Sequence, residues 1–172
     1  MTVKPFICNN NNNQEILYFN SLFSKYDKLK EPVSFNEIKE KVKLKEYNNE
    51  ELNSNNLLVL LSIYKEKVLS FQITSLEKSN NKTIGKIDLI ETHPKYQKLG
   101  IATELVNNSI EILRKNNIEK TLFICSNETI DFWLSRNAKI VDTHKSSSYF
   151  TVYNMEMTVD KFKQKRISNK DF

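Results

Sequence analysis

The junction between a predicted strand and a long predicted helix holds the residues best suited to bind an anion. The segment Gln97-Lys98-Leu99-Gly100-Ile101-Ala102 stands there, and Gly100 is one of only two glycines in the chain. The first backbone amides of a helix have no internal partner and carry the positive end of its dipole. A glycine there lets the backbone approach an anion closely, and phosphate suits such a site best. The sequence predicts a phosphate-binding loop at residues 97–102, with a simple turn as the alternative.

Two carboxylates lie on the predicted strand that leads into this loop, over residues 82–93. Asp88 and Glu91 are candidate general bases, because a carboxylate on a mostly buried strand is unusual and often functional. Side chains alternate along a strand, so the two are expected on opposite faces unless a bulge intervenes. An ordinary ion pair with a lysine is the alternative for either residue.

The histidines and cysteines show no spacing that suits a metal site. His93 and His144 are the only histidines, and Cys8 and Cys125 are the only cysteines. No metal is predicted, and two cysteines are too few for a disulfide framework. Cys125 lies in an apolar strand without a base motif nearby, so an inert core thiol is expected. The protein is therefore predicted to be reduced and intracellular.

Hydrophobic periodicity predicts strands and helices in the order β-α-α-β-β-β-α-β-α-β-β, without repeats or linkers. The predicted ranges are 3–8, 14–30, 34–47, 56–65, 67–76, 82–93, 101–116, 121–125, 128–135, 138–143 and 149–159. The helix between strands 82–93 and 121–125 makes them a parallel pair with a right-handed crossover. A single domain is predicted for residues 1–160, followed by a basic C-terminal tail over 161–172.

The composition disfavours several classes of protein. The 172 residues carry a formal net charge of +5, yet only three of the basic residues are arginines, so nucleic-acid binding is disfavoured. No apolar run approaches the roughly 20 residues of a membrane span, and the N-terminus lacks the features of a secretory signal. We predict a cytoplasmic protein that does not bind membranes. The alternatives are a nuclear location and a salt-dependent contact with nucleic acid.

The 97–102 loop resembles the central motif of the GNAT superfamily of N-acetyltransferases, (Gln/Arg)-x-x-Gly-x-(Gly/Ala). Gln97, Gly100 and Ala102 match its fixed positions, Pro94-Lys95-Tyr96 matches the usual upstream segment, and the element order agrees along nearly the whole chain. The resemblance implies a GNAT fold of the α/β (α+β) class. Such a fold has a mixed central sheet of about six to seven strands with a splayed parallel pair, flanked by about four helices.

The same resemblance implies that acetyl-coenzyme A is the cofactor. The backbone of residues 90–92 would pair with its pantetheine arm, and the loop with the helix start would hold its pyrophosphate. A primary amine would attack the thioester directly, helped by proximity and a backbone oxyanion donor. The residues implied in cofactor binding are Ile90, Glu91, Thr92, Gln97, Lys98, Leu99, Gly100, Ile101, Ala102 and Thr103.

The second motif of that superfamily is less regular in this chain. Asn127 stands where an asparagine usually contacts the cofactor arm, whereas Trp133 replaces the usual tyrosine. That tyrosine hydroxyl often protonates the leaving thiolate, and an indole N–H cannot serve as the acid. Trp133 is expected either to pack on the cofactor or to fill the core. A non-catalytic acyl-CoA-binding module is the alternative to an enzyme.

The acceptor amine is the least determined part of the prediction. Residues 85–90 resemble eukaryotic glucosamine-6-phosphate N-acetyltransferases, which implies that Asp88 holds or deprotonates a small amino sugar. Tyr149 and Tyr153, on the closing strands, are candidates to line the acceptor site. Protein or peptide amines (N-terminal or lysine) and polyamines are the alternative acceptors. A homodimer is left open.

Overall fold

The structure, a computed structural model, describes residues 2–7, 32, 34, 36, 45–46, 57–145 and 151–162. The strands within these ranges are β1 (Thr2–Ile7), β2 (Lys45–Glu46), β3 (Leu57–Tyr64), β4 (Lys67–Ser79), β5 (Lys82–Thr92), β6 (Lys120–Ser126), β7 (Lys139–Lys145) and β8 (Thr151–Thr158). They form one mixed sheet of eight strands in the order β2-β1-β3-β4-β5-β6-β8-β7. The β5/β6 pair is parallel, as predicted, and the other pairs are antiparallel.

Two hairpins build the centre of the sheet. β3 and β4 join at Lys65 and Glu66, and β4 and β5 join at Asn80 and Asn81. All four turn residues have a positive φ, between 46° and 63°. This is the two-residue turn that suits the right-handed twist of a hairpin, and asparagine tolerates its backbone conformation well. The predicted hairpins are confirmed, with β4 running three residues further than predicted.

The helices of the described region are α1 (Ile101–Lys115) and α2 (Ile130–Leu134). The apolar residues of α1 recur at helical spacing and are buried, which fixes α1 against the sheet. A single core cluster joins α1 to strands β3, β4, β5, β6 and β8. Asn116 is the C-cap of α1, and it is followed by Asn117 with a φ of 58°. In the described part of the chain, no helix has the length and apolarity needed to cross a membrane.

One edge of the sheet differs from the prediction. A helix was expected over residues 34–47, but Lys45 and Glu46 form the short strand β2 and pair with Ile7 and Phe6 of β1. The free edge of β1 supplies backbone partners there, so local helical periodicity does not decide the conformation of those two residues. Within the described residues the sheet therefore has eight strands, whereas six to seven were expected. The predicted helix at 14–30 and most of the one at 34–47 lie outside the described residues.

Candidate active site

A cleft opens where β5 and β6 separate. Their parallel pairing covers only Gly85 to Ile87 on β5, although β5 continues to Thr92 and β6 to Ser126. The predicted splay of the parallel pair is thus confirmed. The cleft encloses about 920 Å³. Its walls are the far ends of the two strands, the 97–102 loop, the first turn of α1, and α2.

A β-bulge at Asp88 lies where β5 turns away from β6. Leu89 pairs with Ile73 of β4 and Ile87 pairs with Thr74, so Asp88 is an extra residue in β5. A bulge bends its strand and increases the local twist. The Asp88 side chain holds this geometry, because its Oδ2 accepts a hydrogen bond from the backbone N–H of Ser75 at 3.0 Å. Its Oδ1 lies 3.9 Å from the Nζ of a neighbouring lysine, Lys86.

The bulge also decides which face of the sheet each carboxylate occupies. Ile90 packs against the core, and the Thr92 hydroxyl contacts that of Ser70 at 2.8 Å, on the face covered by α1. Alternation then places Glu91 on the other face, and the extra residue brings Asp88 to that face as well. The two carboxylates share one face, as expected for a strand with a bulge between them.

Glu91 is half-buried and differs from Asp88 in its surroundings. Burial raises the pKa of the Glu91 carboxyl above its ordinary value. Among the described residues no hydrogen bond or ion pair reaches this carboxylate; the Ser70 hydroxyl donates to the backbone carbonyl of Glu91 at 2.6 Å. A half-buried, unpaired carboxylate is a better proton acceptor than one held by neighbouring donors.

The 97–102 loop has the backbone shape of an anion site. Lys98 and Gly100 are left-handed, with φ values of 63° and 76°, and Gly100 caps α1 without any side-chain hydrogen bond. Left-handed residues in such a turn aim successive amides into one concavity. The Gln97 side chain ties the loop to the end of β5 by donating to the Thr92 carbonyl at 3.2 Å. The loop and the open amides of α1 therefore fit a pyrophosphate.

The opposite wall of the cleft comes from β6 and α2. Trp133 is 4% exposed, stacks on Phe123 at 4.2 Å between ring centroids, and also lines the cleft. Trp133 therefore belongs to the core and also lines the cleft, where the predicted contact with the cofactor would be made. Cys125 is buried on the same wall, and burial raises the pKa of its thiol. A thiol with a raised pKa is a poor nucleophile, in agreement with an inert core cysteine.

The sequence model of the acetyltransferase (GNAT) family matches residues 26–135, more than half of the chain. The chain belongs to this family. It is an acyltransferase, which decides between the enzyme and the non-catalytic alternative. No curated protein sequence has a significant match to the chain.

Solved GNAT structures share its fold at low sequence identity. An aminoglycoside 6'-N-acetyltransferase complexed with coenzyme A has 11% identity and a TM-score of 0.61, over 92% of this chain and 97% of that one. Arabidopsis thaliana Naa50 in complex with a CoA-containing bisubstrate analogue has 14% identity and a TM-score of 0.57, over 92% of this chain and 99% of that one. A GNAT acetyltransferase from Streptococcus pneumoniae has 12% identity and a TM-score of 0.60, over 91% of this chain and 99% of that one. They confirm the predicted GNAT fold, and the CoA-bound neighbours are consistent with acetyl-CoA as acetyl donor.

Most of the residues predicted from the GNAT motifs lie at the cleft. Those that line it are Asp88, Ile90, Thr92, Gln97, Lys98, Gly100, Ile101, Ala102, Thr103 and Trp133. Glu91, Leu99 and Asn127 are adjacent in sequence but do not line it. Tyr153 pairs with Cys125 across β8 and β6, packs against the core and does not line the cleft. Tyr149 lies outside the described residues.

Half of the residues that line the cleft, including most of the wall formed by β6 and α2, were not predicted as site residues. The lining residues not predicted as site residues are Ile87, Leu89, Tyr96, Phe123, Ile124, Cys125, Ser126, Glu128, Thr129 and Phe132. A signal was available, because the predicted parallel pairing of 82–93 with 121–125 implies that both strand ends border one cleft. Ile124 is the most informative of these residues, since it is an apolar strand residue with 64% of its surface exposed.

Proposed function

We propose that this GNAT enzyme transfers the acetyl group of acetyl-CoA to the α-amine of a peptide or protein chain. The observation that carries this proposal is the make-up of the cleft: its described lining combines carboxylates with an exposed apolar side chain, and the one cation of that described lining belongs to the phosphate loop. Within the described lining, Asp88 and Glu128 are the acidic residues and Lys98 is the sole basic residue.

An amino-sugar phosphate fits this cleft poorly. Its phosphate needs a cation or several amide donors. In the described wall, Lys98 and the α1 amides would already hold the pyrophosphate of acetyl-CoA, and no second cationic group lines the cleft. A protonated amine without a phosphate suits the carboxylates at Asp88 and Glu128 better. This reasoning disfavours glucosamine-6-phosphate as the acceptor.

The apolar part of the wall suits a side chain beside the reacting amine. Ile124 is 64% exposed on β6, and by alternation it lies on the sheet face opposite α1, as Asp88 and Glu91 do. Leu89 lines the cleft from β5. Together they offer an apolar contact for the first side chain of a peptide, while a polyamine presents only its methylene stems.

Proton transfer also favours an α-amine. An α-amino group has a pKa near 7.7–8.0, whereas a lysine amine has one near 10.4. Glu91, whose pKa is raised by burial, accepts the proton through a water, because it lies beside the cleft and not in its lining. Acetyl-CoA supplies the thioester when bound. Backbone groups of β5 beyond Ile87, which lack a partner on β6, orient the reacting carbonyl.

An acceptor panel tests the proposal. The panel contains peptides with free methionine, leucine, serine and aspartate N-termini, an N-terminally blocked lysine peptide, spermidine and glucosamine-6-phosphate, and CoA release is measured for each. We expect the apolar free N-termini to exceed the others in kcat/KM by about tenfold or more, the scale that an apolar pocket provides. A preference for the sugar phosphate, spermidine or the blocked lysine peptide would overturn the proposal.

Two variants locate the acceptor wall. Ile124→Ser should reduce kcat/KM for the apolar N-termini by about tenfold and leave the serine peptide within about twofold, because only an apolar contact is lost. Ile140→Ser is the matched control, since Ile140 is an exposed isoleucine of β7 outside the cleft lining. Equal losses for both peptides in Ile124→Ser would contradict the assignment of this wall.

A further inference from the structure

Arg136 is a buried cation that the proposed reaction has not used. It follows α2, is 3% exposed, and its guanidinium Cζ lies 3.5 Å from the centre of the Phe132 ring. No carboxylate of the described residues lies within ion-pair distance of it, and burial alone lowers the pKa of its guanidinium. Since an arginine keeps its proton at neutral pH, this buried positive charge has no anionic partner among the described residues.

Two hydrogen bonds of Arg136 lead to the cleft, and its Nη1 also donates to the Ser135 hydroxyl at 3.3 Å. Its Nη1 donates to the Phe132 carbonyl at 2.6 Å, and its Nη2 donates to the Thr103 hydroxyl at 2.8 Å. Its buried Nε–H has no partner in the described part of the chain. Phe132 and Thr103 both line the cleft, one from α2 and the other from the first turn of α1. Arg136 thus stands directly behind the place where the pyrophosphate is expected.

The contact with Thr103 decides how that hydroxyl can act. A threonine hydroxyl has one proton to donate and two lone pairs that accept. The N–H of Arg136 uses one lone pair, so the hydroxyl proton is directed to another acceptor. On the cleft side, an anion held by the α1 amides would be such an acceptor. The positive charge behind it adds to the field of the helix N-terminus.

We propose that Arg136 is a positioning residue for the pyrophosphate of acetyl-CoA. It fixes the Thr103 hydroxyl as a donor and supplies the buried counter-charge of the phosphate site. A buried charge without a partner is unfavourable, so a bound dianion is the partner that compensates it. The inference rests on the proposed function in one respect, the placement of the pyrophosphate on residues 97–103.

The test compares a donor that has the pyrophosphate with one that lacks it. KM is measured for acetyl-CoA and for acetyl-pantetheine, and the dissociation constants of CoA and pantetheine are measured by calorimetry. Arg136→Met should weaken CoA binding and raise the KM for acetyl-CoA by about tenfold or more, the scale of a charge-assisted contact. Both constants for the pantetheine ligands should stay within about twofold. Arg136→Lys keeps the charge, so its CoA affinity should lie between that of the unmodified protein and that of Arg136→Met.

Arg114→Met is the matched control. Arg114 lies near the other end of α1, donates to the Val159 carbonyl at 3.1 Å and pairs with Asp160 at 3.4 Å. It also ties α1 to a neighbouring element, so its loss reports the structural cost of removing an arginine from this helix. CoA affinity should be unchanged in Arg114→Met. An equal loss in both methionine variants would overturn the proposal, because it would show a structural role only.

Thr103→Val keeps the proposal testable if Arg136→Met does not fold. We expect Thr103→Val to weaken CoA about tenfold without affecting pantetheine. In the double variant, the loss of CoA binding free energy should be smaller than the sum of the two single losses, because both residues act through one hydroxyl. Normal CoA affinity in Thr103→Val, or equal loss for CoA and pantetheine, would overturn the inference. If the unmodified protein does not bind CoA, the proposed function fails together with the inference, whereas a failure confined to the variants overturns the inference alone.

Discussion

Asp88 and Glu91 are three positions apart on β5, and their neighbours give them different tasks. The Asp88 carboxylate accepts from the Ser75 amide and lies near Lys86, so it is held at the bulge. The Glu91 carboxylate has no such donor in the described region, and its pKa is raised by burial. We therefore assign the general base to Glu91 and the support of the bulge to Asp88, as a proposal that refines the pair predicted from the sequence.

The pH dependence of the two variants separates these tasks. In the unmodified enzyme, kcat/KM should fall as the pH is lowered through the raised pKa of Glu91, because the base becomes protonated. Glu91→Gln should lose this acid limb and about 10²-fold in rate, and should keep only the separate limb that comes from the acceptor's own α-amine, with a pKa near 7.7–8.0. Asp88→Asn keeps an oxygen for the Ser75 amide and should keep the limb. A Glu91→Gln variant that retains the acid limb would contradict the assignment, and Glu91→Gln with normal rates would refute it.

Stability should change in the opposite sense to activity. A carboxyl whose folded pKa is raised binds its proton more tightly in the folded state, so its contribution to stability is lost as the pH rises through that pKa. Glu91→Gln should therefore unfold at a higher temperature than the unmodified protein at pH 7. The gain should vanish below a pH of about 4, near the pKa of an unfolded glutamate. Thermal unfolding at both pH values measures this, and a lower unfolding temperature at pH 7 would contradict it.

Trp133 illustrates a residue that belongs to the core and the cleft at once. Because the indole N–H cannot act as an acid, Trp133→Phe should keep kcat within about threefold, instead of the 10²-fold or greater loss of a catalytic acid. Trp133→Tyr should be tolerated as well. Stopped-flow acetyl transfer at saturating substrate measures this step. A large loss of kcat in Trp133→Phe with normal CoA affinity would show that the indole N–H takes part in the reaction.

At the scale of elements, the cleft depends on how closely β5 and β6 approach before they separate. Gly85 pairs with Thr121 at the closed end of the cleft. A Cβ added at Gly85 would lie 3.0 Å from the Thr121 Cγ2 and 3.5 Å from Leu113 of α1. The glycine thus permits the tight contact between the two strands and the helix. Three residues after Gly85, at the bulge of Asp88, β5 separates from β6.

Gly85→Ala should therefore destabilise the fold by roughly 1 kcal/mol, the lower end of the range for overpacking. Thr121→Ser removes the Cγ2 that the new Cβ would meet, so the double variant should recover part of the loss. Urea unfolding of the three variants measures these free energies. If Gly85→Ala is as stable as the unmodified protein, the close approach does not require a glycine.

At the scale of the whole molecule, the sequence predicted what is encoded locally. The hairpin turns, α1 and the 97–102 loop follow from residue types and periodicity, and the parallel pairing follows from the crossover through α1. The bulge at Asp88 could not be predicted from local sequence, because it depends on the register between β4 and β5. Likewise β2 arises from pairing with β1, and the wall from Ile124 to Phe132 arises from the splay. Where a side chain's role depends on a distant strand, local sequence was insufficient.

The central claim is that the 97–102 loop and the start of α1 hold the pyrophosphate of acetyl-CoA. Calorimetric titration of CoA into the unmodified protein, Gly100→Ala and Gly100→Asp tests it most directly. Gly100→Ala reports the backbone strain at a φ of 76°, and Gly100→Asp adds a negative charge. We expect saturable binding to the unmodified protein and a loss on the order of 100-fold in Gly100→Asp beyond that in Gly100→Ala. Like charges about 4 Å apart repel by roughly 4 kcal/mol at an effective dielectric constant of about 20, enough for such a loss. Equal CoA affinity in Gly100→Asp and the unmodified protein would contradict the claim.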